Sequence, residues 1–103
     1  MLNQVIIVGR LVEITEIKEN EIGNKNCNIK LAVPRSYKNE NGEYETDFID
    51  CTLWKGIAEN TLEYCHKGDV IGIRGKLQNK EDKLSVVAEK VSFLTSKKES
   101  EEN

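Results

Sequence analysis

Apolar and polar side chains alternate along five stretches of this chain, which is the pattern of β-strands that each bury one face. The five predicted strands are residues 2–12, 27–35, 47–55, 69–78 and 84–94. Residues 14–18 continue the first strand after a kink. Only residues 55–68 repeat their apolar side chains at helical spacing, and Gly68 is a suitable C-terminal stop. This segment therefore predicts a single helix, with His66 and Lys67 in its last turn.

The third predicted strand carries two aromatic rings on the side that should face water. Ile49, Cys51 and Leu53 form its apolar face, which leaves the other face to Phe48, Asp50, Thr52 and Trp54. Two interpretations stay open at this point. The rings either pack beneath a loop or a neighbouring subunit, or stack on a flat partner such as a nucleobase.

The first predicted strand is apolar on both faces. Val5, Ile7 and Leu11 lie on one side, and the other side holds Ile6, Val8, Arg10 and Val12. A small barrel buries only its inner face, so the second apolar face predicts a contact between subunits.

The second predicted strand constrains the register of the hairpin that follows it. Its inward residues end with Leu31 and Val33, and Asn41-Gly42 is a strong hairpin signal. A two-residue turn there would set Leu31 opposite Thr52, which joins a core face to a solvent face. We therefore expect a bulge or an odd-length loop between Pro34 and Asp47.

The last two strands show a similar irregularity. Ile71, Ile73 and Leu77 are predicted to face inward, and residues 79–83 form a short turn. The alternation changes phase within residues 88–90, which predicts a second bulge.

Three strands, one helix and two strands, in this order, predict a mainly all-β protein. The arrangement fits the OB-fold, a five-stranded Greek-key barrel with the helix between strands 3 and 4. In this fold the faces of strands 2 and 3 bind oligonucleotides, and those strands carry Lys30, Phe48 and Trp54. Residues 1–95 form the predicted domain, and residues 96–103 a short, charged, disordered tail.

Composition limits the classes of function. The chain has 103 residues, enough for one domain, and its net charge of -3 does not suit a strongly basic nucleic-acid binder. Any polyanion must therefore meet a local basic patch. The chain shows no export signal and no run long enough to span a membrane, so the protein should remain where it is made. The three cysteines are expected to be reduced, with Cys27 and Cys51 buried.

No catalytic or metal constellation is evident in the sequence. Asp47 and Asp50 fall on opposite faces of their strand, and Gly72 and Gly75 do not open a helix as a phosphate loop would. Cys65 and His66 have no further ligands nearby for a zinc site. We predict a protein that is not an enzyme and uses no cofactor.

Three segments together resemble the bacterial single-stranded DNA-binding protein family: MLNQVIIVGRL, LAVPRSYKNENGE and DFIDCTLWKGIAENTLEYCHKGDVIGIRGKLQ. The resemblance spans about residues 1 to 94 and implies an OB-fold that binds single-stranded DNA without sequence preference. It also implies a homotetramer, with a dimer as fallback, acting in DNA replication, recombination and repair in the cytoplasm at the nucleoid. By motif, the family's stacking aromatics correspond to Tyr37, Phe48 and Trp54.

Basic residues are the remaining candidates for the DNA contact, because their charges can bind the phosphate backbone. They are Arg10, Lys30, Arg35, Lys55, Arg74 and Lys76.

The sequence departs from the family in two places. The turn at residues 79–83 is short and lacks an aromatic, and the tail lacks the apolar tip that recruits replication and repair proteins. The alternative is a primosome-type OB-fold adaptor that binds mainly proteins. Residues 30–76 favour it slightly, because they hold eight acidic and seven basic side chains.

Overall fold

The structure is a computed structural model that describes residues 1–95. The predicted tail, residues 96–103, lies outside the described residues. Six strands and one helix follow one another along the chain. They are β1 (Val5–Ile14), β2 (Lys18–Glu19), β3 (Lys25–Lys38), β4 (Tyr44–Trp54), α1 (Lys55–Tyr64), β5 (Val70–Lys80) and β6 (Lys83–Thr95).

Five of these strands close into a barrel. β1 pairs antiparallel with both β3 and β5, β5 with β6, and β3 with β4. A short parallel pairing between β4 and β6 completes the ring, while β2 only extends the edge of β3. The predicted five-stranded OB-fold with its helix between the third and fourth barrel strands is confirmed.

Most of the core side chains are ones that the alternation predicts to face inward. They are Leu11, Cys27, Ile29, Leu31, Cys51, Leu53, Ile71 and Ile73, all almost fully buried, and Val86 of β6 joins them. Helix α1 contributes Ala58 and Thr61, also buried. The helix packs against β3, β4 and β6 and thus covers part of the barrel core.

Both predicted bulges are present. The β3–β4 register sets Leu31 opposite Ile49, and it shifts between Pro34 and Lys38 before a five-residue loop. The β5–β6 register shifts at Arg74 and Gly75, opposite the segment 88–90. The odd length of the loop, and not the two-residue shift on β3, puts Leu31 and Ile49 on the same face. In β6 one extra residue keeps Ala88 and Val91 both on the core side.

The helix is shorter than predicted, because it ends at Tyr64 and not at Gly68. Cys65 is already extended, with φ -114° and ψ 147°. His66 and Asp69 close a turn through two hydrogen bonds, and the Gly68 N–H donates to the Leu11 carbonyl. These bonds hold the segment against β1, so His66 and Lys67 follow the helix instead of forming its last turn.

Leu77 is also placed differently, since 41% of it is exposed. β5 and β6 continue to a turn at Glu81 and Asp82, shorter than the predicted turn at residues 79–83. Beyond the barrel the inward-facing side of a strand has little to pack against. The Asn3 side chain bonds both backbone groups of Leu77 and so extends the pairing along β5.

Candidate nucleic-acid interface

The outward sides of β3 and β4 form one continuous surface, here called the β3–β4 face. Antiparallel pairing puts four residues of each strand side by side on it. The pairs are Asn26 with Trp54, Asn28 with Thr52, Lys30 with Asp50, and Ala32 with Phe48. Phe48 is 60% exposed, and its cross-strand neighbour Ala32 is too small to cover it. Its ring is therefore open to a flat ligand.

Trp54 stands at the other end of this face. It is the last residue of β4 and the N-cap of α1, in extended conformation, and it is half-buried. Lys55 follows at φ 52°, in the left-handed region, and is exposed. The chain therefore changes direction sharply where an aromatic residue and a basic residue follow one another at the end of the strand.

A polar groove of about 300 Å³ lies between these two rings. The Asn28 amide oxygen accepts hydrogen bonds from the Thr52 hydroxyl at 3.1 Å and the Lys80 ammonium at 3.4 Å. Thr52, predicted to face outward, is buried here, because the end of the β5–β6 hairpin borders the groove with Leu84 and Ser85. The groove thus offers hydrogen-bonding groups and two cations, Lys80 and Lys83, together with the carboxylates of Asp50 and Glu81.

Lys30 lies at the centre of the β3–β4 face between two carboxylates. Its ammonium is 3.9 Å from Glu13 and 4.0 Å from Asp50. At such distances the pairs are weak, and each side chain involved keeps at least a third of its surface exposed. Lys30 is therefore accessible, but the local field at this point is not strongly positive.

Two other predicted cations flank the β3–β4 face. Their positions follow from the pairing of neighbouring strands. Arg10 pairs with Ala32, which in turn pairs with Phe48, so Arg10 is two strands away from the ring. Lys76 pairs with Val87, and Val87 with Thr52. At about 4.8 Å per strand, each cation lies roughly 10 Å from β4.

Arg74 belongs to a different surface. It pairs with Ile6 on one side and Lys90 on the other, and it borders a groove of about 310 Å³ lined also by Val8 and Leu94. This is the outer side of β1, β5 and β6. The structure therefore does not bring Arg74 together with Phe48 and Trp54.

Arg35 and Tyr37 lie on the part of β3 beyond the barrel. The Arg35 guanidinium is 2.9 Å from Asp47 and 2.6 Å from Glu45. The hydrogen bonds from Arg35 lower the pKa of Asp47, and Asp47 in turn raises the pKa of Arg35. Tyr37 is exposed and shares the odd-numbered side of the hairpin with Arg35, opposite Phe48. Tyr37 is exposed because the hairpin extends past the core. The bulge shifts the register by two residues and so leaves Tyr37 on the side of the strand that faces the core within the barrel.

The structure adds two residues to this region that the sequence does not predict for it, Lys80 and Tyr44. Lys80 lies within the predicted turn at residues 79–83, and its contact with Asn28 joins residues 52 positions apart, which no local pattern reveals. Tyr44 shares the parity of Phe48 on β4, a signal that was available once the strand was extended to residue 44.

The cysteines are buried and free, as predicted for Cys27 and Cys51. Burial raises the pKa of Cys51 to about 12 and that of Cys65 to about 11, with smaller effects from Asp50 and Asp69. Within residues 1–95 no group of three or more His, Cys, Asp or Glu side chains is arranged to hold a metal ion. None of the helices in this part of the chain is long and apolar enough to cross a membrane.

Known proteins share this architecture. The structure of the protein PriB from Ralstonia solanacearum superposes with a TM-score of 0.78 over 92% of this chain and all of that one, at 18% identity, which shows the fold alone. The single-stranded DNA binding protein from Thermus aquaticus superposes with a TM-score of 0.72 at 28% identity, over 91% of this chain and 41% of that one.

Relatives in sequence point to one family. Single-stranded DNA-binding protein B of Bacillus subtilis is 44% identical over 80 residues, which cover 78% of this chain and 71% of the relative. Single-stranded DNA-binding protein 1 of Clostridium acetobutylicum is 40% identical over 108 aligned positions, covering 95% of this chain and 98% of the relative. The model of the single-strand binding protein family matches residues 2–94. The chain therefore belongs to the single-strand binding protein family.

Proposed function

We propose that this protein binds single-stranded DNA without reading its sequence. The observation that carries the proposal is the β3–β4 face, where the exposed Phe48 ring and Trp54 stand on one strand of an OB-fold. Every base has a flat face, so stacking on such rings tolerates any sequence. The family membership supports the same function.

The phosphate backbone supplies the second part of the proposed mechanism. Lys30 lies on the β3–β4 face, Arg10 and Lys76 flank it, and Lys55 follows Trp54. Arg35 and Tyr37 would contact DNA only where a strand passes over the other side of the hairpin. Arg74 would contact DNA that continues around the barrel. Each of these assignments is part of the proposal.

The cellular role follows from the binding mode. A protein that covers single strands protects them during replication, recombination and repair, and it needs no catalysis and no cofactor for this. We place it in the cytoplasm at the nucleoid. The proposal includes replication and repair proteins as partners, and no residue of the described chain is assigned to them.

Self-association is also part of the proposal. Ile6 and Val8 are exposed on the outer side of β1, next to Leu94. An apolar surface of this kind on a small domain is typical of a subunit interface. We propose a homotetramer, with a dimer as the simpler possibility.

The adaptor alternative gains nothing from the superposition with PriB, because 18% identity shows a shared fold and no shared partner. The acidic balance that favoured it is confined in part to the hairpin, where Glu45 and Asp47 are bound by Arg35.

A fluorescence titration tests the proposal. Trp54 is the only tryptophan, and we expect single-stranded oligonucleotide to quench its emission while the matching duplex has little effect. The titration is repeated at about 50 and 200 mM salt. Binding should be weaker at the higher concentration, because log affinity falls against log salt concentration with a slope of about -0.7 per phosphate neutralised. Equal affinity for the duplex, or no binding to either, would overturn the proposed function.

A further inference from the structure

Tyr44 stands at the outer end of the strand that carries Phe48 and Trp54. Side chains alternate along a strand, so residues 44, 48 and 54 of β4 point to the same side. The register supports this. Ala32 pairs with Phe48 and Lys38 pairs with Tyr44, and the register shift of two residues on β3 between these pairs leaves even-numbered residues on the same side. Tyr44 therefore continues the β3–β4 face beyond the barrel.

Tyr44 is about as exposed as Phe48. The residue is 59% exposed, against 60% for Phe48. The Lys38 ammonium lies 5.7 Å from the centroid of the Tyr44 ring, close enough for a cation–π contact. A base that stacks on this ring would therefore meet a cation within reach of its phosphate.

Lys38 is the cation of this hairpin whose charge remains available. Among the described residues it forms no ion pair, whereas Arg35 is bound to Glu45 and Asp47 on the other side of the hairpin. The two sides thus differ in charge: the side of Tyr44 presents an ammonium that no carboxylate of the described residues binds, and the side of Arg35 presents a cation bound by two carboxylates.

The spacing of the rings suits a single strand that runs along β4. At about 3.3 Å per residue, Phe48 and Trp54 are roughly 20 Å apart, and Tyr44 lies roughly 13 Å beyond Phe48. We propose that Tyr44 and Lys38 form an additional nucleotide subsite, in which a base stacks on the tyrosine ring and its phosphate meets the lysine ammonium. This inference rests on the proposed function and extends the DNA path along the hairpin.

The test compares oligo(dT) of about 4 and about 16 nucleotides, the limits of the usual site size of one OB-fold. Tyr44→Val keeps a residue that favours strands but removes the ring. It should weaken binding of the longer oligonucleotide by about 5- to 20-fold, the lower part of the range for a stacked base, and leave the shorter one unchanged. Tyr44→Phe should bind both like the parent protein.

Lys38→Gln provides a second readout. It should flatten the slope of log affinity against log salt by up to about 0.7 for the longer oligonucleotide, the value for one phosphate on a single strand. Tyr64→Ala is the matched control, because Tyr64 is also 60% exposed but lies on α1 beside Phe93. It should not alter binding of either oligonucleotide.

The subsite is refuted if Tyr44→Val binds the longer oligonucleotide like the parent protein. A loss of equal size at both lengths, together with a lower melting temperature, would also refute it, because it would show damage to the hairpin. In either case the proposed function stands as long as the parent protein binds single strands. If the parent protein binds neither oligonucleotide, the function fails and the subsite with it.

Discussion

Phe48 and Trp54 occupy the same face of β4, yet they differ in how deeply they are embedded. Phe48 projects beside an alanine, whereas Trp54 is half-buried where the strand turns into α1. A stacking ring held partly by the protein loses less conformational entropy when a base binds. Trp54 should therefore contribute at least as much to binding as Phe48, and its truncation should cost more stability.

Trp54→Ala should weaken binding of single-stranded DNA by roughly 1–3 kcal/mol, the usual contribution of one base on one ring. Its melting temperature should fall more than that of Phe48→Ala, because only Trp54 is half-buried. Isothermal titration and thermal unfolding of both variants measure the two effects. A variant at Trp54 that unfolds or dissociates, with no quenching in the parent protein, would instead support a purely structural role.

Gly75 lies where β5 meets the bulge of β6. A Cβ atom at this position would be 2.1 Å from the Val87 carbonyl oxygen, which belongs to the backbone and cannot turn aside. Gly75→Ala should therefore cost about 3 kcal/mol or more of unfolding free energy, at the upper end for overpacking. Urea denaturation measures it.

Gly72→Ala is the matched control, since the nearest atoms to its added methyl would be 3.8 Å away. It lies on the same strand three residues earlier and should change stability little. If both glycine variants unfold at the same urea concentration, the close approach at Gly75 is not what limits side-chain size there.

At the scale of elements, the β3–β4 hairpin extends past the core and is held by polar contacts. Arg35 binds Asp47 and Glu45 on one side, and Asn39 accepts hydrogen bonds from the backbone of Asn41 and Glu43 in the loop. These bonds compensate for the missing hydrophobic partner. The hairpin should therefore depend on pH more than the barrel does.

Asp47 has a pKa lowered by its hydrogen bonds from Arg35. A carboxylate of this kind stabilises the folded state above its unfolded pKa, about 3.9, and the stabilisation is lost as the pH falls through the lower folded pKa. Asp47→Asn should therefore be less stable than the parent protein at neutral pH, and the difference should vanish at the acidic end. Thermal unfolding of both proteins between about pH 7 and pH 2.5 measures this difference in stability.

Glu43→Gln is the control for that series, because Glu43 is an exposed residue of the same hairpin loop and its backbone alone makes the loop contacts. Its stability should follow the parent protein at every pH. A constant difference between Asp47→Asn and the parent across the whole range would contradict a role for the charge.

At the scale of the whole molecule, the barrel presents two unlike surfaces. The β3–β4 face is polar with aromatic rings, and the outer side of β1, β5 and β6 is apolar around Ile6, Val8 and Leu94. Arg74 and Lys90 border the apolar surface. DNA binding and self-association can thus occupy separate sides of one small domain.

Val8→Asp should dissociate the oligomer, because it puts a charge into the apolar surface of β1 that a partner would bury. Sedimentation at micromolar concentration should show the parent protein above 11.7 kDa and the variant at about that mass. Asp50→Asn, on the other face, should leave the oligomer intact. A parent protein that sediments as a monomer would contradict the proposed assembly.

Local patterns in the sequence determined most of the fold. The alternation in residues 27–35 and 47–55 identified the core faces, and the conflict at Asn41-Gly42 required a bulge or an odd-length loop, of which the five-residue loop restores the parity. Such inferences succeed because a strand's two faces depend only on neighbouring residues and on a period of two. The order of elements then left few topologies to consider.

Tertiary structure decided what depends on distant partners. Leu77 is exposed because its strand outruns the barrel, and α1 ends early because His66, Gly68 and Asp69 are bound in a turn against β1. These outcomes depend on the lengths to which strands pair. No local period encodes those lengths, since they follow from the packing of the whole barrel.

The candidate site divides in the same way. The sequence by itself determined that Phe48 and Trp54 share a face, because both stand on one strand. Only the closed barrel set Arg10 and Lys76 on its flanks, brought Lys80 to Asn28, and turned Arg74 to another surface. Parity fixes the side of a residue within its own strand. The neighbours across the sheet are fixed by register and closure, which arise when all five strands pair at once.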